Sequence, residues 1–203
     1  MSLFDRFLET WITVILIFGG YSWYFYAQRQ RWYPARFIET RFDTMISYDP
    51  RWVWVYSGLY YPMIVLAAMS VPSWRDYAMA AGCFLALLVV QMAFFLFLPV
   101  EIPAEWRSLY REPWEGTQHQ RFLDLVWSFD KLRNSMPSMH VSVATVTDLT
   151  IGREWPAVGT VGILFPILIA VSAVKTKQHY LWDIPAGAAL GAFVFWAWHS
   201  VVA

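Results

Sequence analysis

Two histidines in this chain stand where an apolar segment meets a polar loop. His140 closes the run Pro137-Ser138-Met139-His140, and 39 residues later His179 sits in Lys175-Thr176-Lys177-Gln178-His179-Tyr180-Leu181-Trp182-Asp183. A pair of imidazoles suits phosphoryl transfer through a phosphohistidine, in which one ring attacks phosphorus and the other protonates the leaving oxygen. Asp183 follows His179 by four residues, a spacing that on helical backbone puts both side chains on one side, so the carboxylate could hold the imidazole in one tautomer. The attacking ring must be neutral and the donating ring protonated, which predicts a rate that is bell-shaped in pH. Charge gathering on the equatorial oxygens calls for cations nearby.

The elements that must position these groups are membrane helices. Of 203 residues, 58% are apolar and 15% are charged, against about 25% charged in soluble domains. The apolar residues gather in long runs, and the candidate spans are Trp11 to Ala27, Val53 to Val71, Ala78 to Leu98, Met139 to Ile151, Pro156 to Val174 and Ile184 to Ala203. Most approach the roughly 20 residues of a bilayer crossing. The expected fold is therefore all-α, a single transmembrane domain over residues 1–203 with six helices in a bundle and the site at one membrane face. The fourth span is short and carries Ser142, Thr145, Thr147 and Asp148, so its neighbours should enclose it. Aromatic residues cluster at segment ends, among them Trp52, Trp54, Tyr60, Trp106 and Trp182, as interfacial belts require.

Asp5, Arg6 and Glu9 precede the first apolar run and aromatic residues follow it, so it reads as a retained span rather than a cleavable signal. The single cysteine, Cys83, excludes an internal disulfide and a CxxC motif. A formal charge of zero argues against nucleic acid as a partner. Six crossings put residues 28–52, 99–138 and 175–183 on the side opposite both termini, together with both histidines. All of the 15 Lys and Arg except Arg6, Arg75 and Arg153 lie there too, and the positive-inside rule would make that face cytoplasmic.

Pro137-Ser138-Met139-His140 and the later Ser172-x6-His179-x3-Asp183 together resemble the second and third signature motifs of the type 2 phosphatidic acid phosphatase superfamily. Those proteins are six-helix, metal-independent lipid phosphatases and phosphotransferases. Asn134-Ser135-Met136 and Thr176-Lys177-Gln178-His179-Tyr180 look most like the branch that includes inositol phosphorylceramide synthases and small bacterial members. The resemblance implies His179 as nucleophile, Asp183 as its orienting carboxylate and His140 as general acid, with Ser138 and the amides of Ser138, Met139 and His140 on phosphate oxygens. It also implies no cofactor and no metal, a lipid phosphate as substrate, a bacterial plasma membrane and an extracytoplasmic active face, against the charge count.

The chain departs from the family pattern at three places. Ala173 stands where arginine usually follows the serine, so Lys177 or Lys175 is expected to supply that charge. The first motif is absent, and Arg107 is the best substitute, with Arg111 and Arg133 as competitors. Met139 replaces the commoner glycine. The reading that follows is a phosphatase for phosphatidate-type or polyprenyl phosphates. Transfer to an alcohol, a two-histidine-one-carboxylate metal enzyme and a non-enzymatic transporter or scaffold are the alternatives. The aromatic first loop, with Trp32, Tyr33, Phe37 and Phe42, could lie on the membrane surface as a gate.

Overall fold

Short polar residues open several of the helices. In the computed structural model, which describes residues 2–202, Ser2 and Asp5 form a capping box at the head of α1 (Leu3–Arg29). Thr40 and Asp43 do the same for the short α2 (Arg41–Met45). A tight turn at Pro50–Trp52 and a wider-wound stretch at Trp54–Leu59 lead into α3 (Tyr60–Ser70), giving one rod from Pro50 to Ser70. The Ser73 hydroxyl accepts the Asp76 amide at the start of α4 (Trp74–Phe97). The following loop holds α5 (Glu105–Leu109) and α6 (Gln118–Phe129), the latter capped by Thr117. Ser138 caps α7 (Met139–Glu154), Pro156 opens α8 (Pro156–Gly162), and α9 (Leu164–Lys175) and α10 (Asp183–Val202) complete the chain. No β-strand forms among the described residues.

Four of these rods are long and apolar enough to cross a membrane: Pro50–Ser70, Trp74–Phe97, Pro156–Lys175 and Asp183–Val202. The six apolar segments are all helical, but α1 and α7 fall outside that group. In α1 the length is ample, and Thr10, Thr13, Ser22 and a run of Tyr and Trp dilute the apolar character. α7 has 16 residues, about 24 Å at 1.5 Å each, and its polar side chains face protein.

That enclosure explains how α7 can carry them. It sits centrally, packed by α3, α4, α8, α9 and α10. Ser142 donates to Gln91 Oε1 of α4 (3.1 Å), and Gln91 Nε2 donates to the Pro137 carbonyl (2.5 Å). Lipid supplies no hydrophobic drive between helices, so packing and such bonds must hold the bundle. Tyr60, Leu87, Ile169 and Phe195 from four different helices close around Val141 and Ala144. Asp148 forms no ion pair with Arg153 among the described residues: its carboxylate lies against Gly162, and Arg153 approaches Glu154.

Two glycines set the crossing that matters most. A Cβ at Gly187 would stand 2.5 Å from the Ser138 carbonyl oxygen, and one at Gly191 2.5 Å from that of Ser142. Only hydrogen fits there, so this small-xxx-small pair lets α10 lie directly on α7 and brings the heads of both helices together. The loops above are tied by backbone bonds: Arg36 to Pro99 and Glu101, Ile102 to Leu132, and Ser135 to Val100.

Candidate active site

His179 and Asp183 meet, but through a turn and not a helix. Lys177 adopts φ 54°, the chain reverses, and the Asp183 amide donates to the Tyr180 carbonyl (3.1 Å) before α10 begins. Asp183 is fully buried, and its Oδ2 accepts from the Ser135 hydroxyl, from the Tyr180 amide (2.9 Å) and from His179 Nδ1 (3.2 Å). His179 Nδ1 also lies 2.9 Å from the Ser135 carbonyl. Both partners of Nδ1 are acceptors, so Nδ1 carries the hydrogen and the lone pair sits on Nε2. The Asp183 carbonyl accepts the Ser138 amide (3.1 Å), which locks the His179 turn to the loop preceding α7. Asp183 Oδ1 has no partner.

His140, on the first turn of α7, faces this group. Its Nδ1 is 3.0 Å from the Tyr56 hydroxyl, and its ring stacks on Tyr56 with centroids 4.0 Å apart and against Tyr60 at 4.6 Å. The His140 and His179 ring centres are 6.2 Å apart. Neither Nε2 makes a hydrogen bond among the described residues. Two imidazoles, each fixed through Nδ1 and each with Nε2 unengaged, therefore border one cavity of about 290 Å³. Its walls include Tyr21, Tyr24 and Phe25 of α1, Tyr56 and Tyr61 around the head of α3, Phe122 and Phe129 of α6, and Asn134 and Gln178 beside the histidines. Asn134 takes φ 72°, a conformation that Asn tolerates better than most residues, and its amide donates to the Tyr24 carbonyl.

The expected phosphate-binding cations behave differently. Lys177 is 2% exposed, donates to the Asp43 carbonyl (2.6 Å) and lies over the Trp106 and Tyr110 rings. Lys175 donates to the Ser47 hydroxyl (2.7 Å). Both hold the first loop, and neither lines the cavity. Burial lowers the Lys177 ammonium from its ordinary range. Arg107 is bound to Asp130, to the carbonyls of Trp127 and Asp130, and to the Trp127 ring. Of the cations in question only Arg133 reaches the cavity wall, where it donates to Glu101 Oε1 (2.8 Å) and the Tyr33 carbonyl (2.7 Å). The Ser138 hydroxyl caps Val141 and lies outside the cavity lining, while Met139 packs on the apolar side of α7. No three His, Cys, Asp or Glu among the described residues form a ligand set for a metal ion.

Several contributors carried no signal that was used. Tyr56 and Ser135 hold the two histidines; nothing local marks Tyr56, and Ser135 stands in the Asn134-Ser135-Met136 lead-in without an assigned role. Gly187-x3-Gly191 is a readable small-xxx-small motif. Asp130, on the cavity wall, accepts from Gln28 Nε2 and the Leu132 amide (3.0 Å each) as well as Arg107. In the amide orientation that satisfies both neighbours, Gln178 donates to Asp130 Oδ2 (2.8 Å) and accepts from Trp127 Nε1 (2.6 Å). Burial raises the Asp130 carboxyl, with Arg107 opposing it.

No curated relative matches the chain. The family model described as the PAP2 superfamily matches residues 46–197, a region that contains both histidines, Asp183 and the close crossing of α7 and α10. The match supports a phosphatase or phosphotransferase type of function in a helical, membrane-compatible protein. With the match extending over most of its length, the chain belongs to the PAP2 superfamily.

Proposed function

We propose that this protein is an integral membrane lipid phosphatase that hydrolyses a phosphate monoester or diphosphate of a phosphatidate-type or polyprenyl lipid through phospho-His179, without a metal. The observation that carries the reading is the fixed tautomer of His179, whose Nδ1–H points at Ser135 and Asp183 and leaves Nε2 free beside His140. In the first step the Nε2 lone pair bonds to phosphorus, the ester oxygen departs, and His140 gives it a proton. In the second, water attacks the phosphohistidine, His140 takes the proton, and inorganic phosphate leaves. Arg133, held by Glu101 at the cavity wall, is the cation best placed to face the charge.

Release of inorganic phosphate from a panel of lipid phosphates in detergent, with and without chelator, tests this. Chelator-sensitive turnover, or binding without release, sinks it. Transfer to an alcohol is the second reading, favoured by the hydroxyl-bearing Tyr24, Ser57 and Tyr61 on the cavity wall. Adding alcohol acceptors to the same assay separates the two. We place α1 and α7 in the membrane as well, giving six crossings with both termini cytoplasmic and the site extracytoplasmic. Lys175, Lys177, Arg107 and Arg133 are all bound to loop groups, which gives them a structural reason to lie on the active face. A single cysteine in residues 108–120 of a Cys83→Ala protein should react with an impermeant thiol reagent on intact cells; reaction only after lysis reverses the orientation.

A further inference from the structure

α6 presents two apolar faces. Leu123 and Trp127 are buried against Val53 and Tyr48. Phe122, Leu125, Val126 and Phe129 recur at the i, i+3, i+4, i+7 spacing of a helix face and border the catalytic cavity. On that face Leu125 is 55% and Phe129 58% exposed. In water such exposure costs about 25 cal/mol per Å²; against hydrocarbon it costs nothing.

The opposite wall is α1, with Tyr21, Tyr24 and Phe25 lining the cavity, while its Phe18 and Trp23 are exposed on the surface. α6 is pinned at its ends. Trp54 donates to His119 (2.9 Å) and packs on Phe122, and Gln28 of α1 bonds Asp130 and the Lys131 amide. Between these pins, the aromatic contact across the α1–α6 seam is Phe25 against Phe129, with centroids 6.3 Å apart. Beyond Tyr21, which lines both spaces, lies a second, apolar cavity of about 100 Å³ bounded by Leu16, Ile17, Phe84 and Leu88.

We propose that the α1–α6 seam is the route by which a lipid phosphate passes sideways from the bilayer to the two histidines, with Phe25 and Phe129 as its gate and the chamber beyond Tyr21 holding part of a hydrocarbon chain. The occupant is a lipid chain and not a protein segment, because the seam between its pins is walled by apolar side chains and runs on into the lipid-facing side of α1. This rests on the function proposed above.

A Phe25→Cys/Phe129→Cys pair in the Cys83→Ala protein, bridged by a reducible bis-methanethiosulfonate, tests the gate in phosphatidylcholine vesicles. Turnover of long-chain phosphatidate should fall at least about tenfold and return on reduction, as for other gating elements, whereas phenyl phosphate should lose less than about twofold. Full phosphatidate turnover in the bridged protein, or equal loss of both substrates, overturns the route. Should the unaltered protein turn over neither substrate, the catalytic reading fails, and the seam is judged by binding alone. For that, phosphatidate carrying a diazirine in its acyl chain is photolysed with the unaltered protein. Labelling at residues 122–129 and at Tyr21 supports the route; labelling confined to α9 and α10 overturns it.

Discussion

Around Asp183, hydrogen bonds lead from Ser135 and Tyr180 through the carboxylate to His179 and stop at an unengaged Nε2. Around Arg107 and Lys177 they lead back into the protein, to Asp130, Asp43 and nearby rings. Both regions lie on the same face and both are largely buried. One ends in an unengaged ring nitrogen and the other in closure, so proximity to the site does not make a cation part of it. Those charges tie the loops together, Lys177 to Asp43 of α2 and Arg107 to Asp130 at the end of α6.

The comparison predicts that variants of the first region lose turnover with little change in melting, and that variants of the second do the opposite. The largest expected effect is for His179→Ala, which should cost at least the roughly 10²–10⁴-fold of lost proton-transfer or nucleophilic function and abolish any acid-labile phosphoenzyme. A phosphoenzyme trapped in that variant would break the assignment. Asp183→Asn comes next. An amide facing Nδ1 favours the wrong tautomer, as for the serine-protease aspartate, and a loss of about 10²-fold or more in kcat is expected; near wild-type activity would reduce Asp183 to a helix-start residue.

In the second region Arg107→Ala leaves Asp130 a buried charge without its ion partner, which should cost about 3–5 kcal/mol of stability while turnover per folded molecule stays within a few fold. Arg107→Met/Asp130→Leu should recover most of the melting temperature. A combined variant that melts normally but is inactive would move Asp130 into the first region. The smallest effect is for Lys177→Met, which keeps the stem over Trp106 and Tyr110. Burial depresses the folded-state pKa of Lys177 below its unfolded value, so its contribution to stability is present above the unfolded pKa and is lost as pH falls through the folded one. The melting difference between wild type and Lys177→Met should therefore shift in favour of wild type as pH rises toward the ordinary lysine range, and a flat difference would contradict the burial effect.

That His140, His179 and Asp183 would meet was legible because motif and spacing survive without knowledge of the fold, and that the six apolar segments would be helical was legible because long apolar runs have few alternatives. The cations were not. Lys175, Lys177 and Arg107 lie at the right height, and whether a long side chain turns inward or outward depends on partners as distant as Asp43 and Asp130. The amphipathic α6 is another such case: it borders the cavity, while the aromatic residues of the first loop, Trp32, Tyr33, Phe37 and Phe42, stay exposed at the surface.

By itself, then, the sequence determined the candidate groups and the apolar character of what carries them: two histidines with a carboxylate, set at the ends of apolar helices. What only the tertiary structure decided is which ring nitrogen is left free. His179 Nε2 is free because Ser135, 44 residues earlier, and Asp183 both take Nδ1–H, and that meeting exists because Gly187 and Gly191 let α10 press against α7. Hydrogen-bond partners are properties of positions in space, and even the readable Gly187-x3-Gly191 motif does not say which helix it will meet.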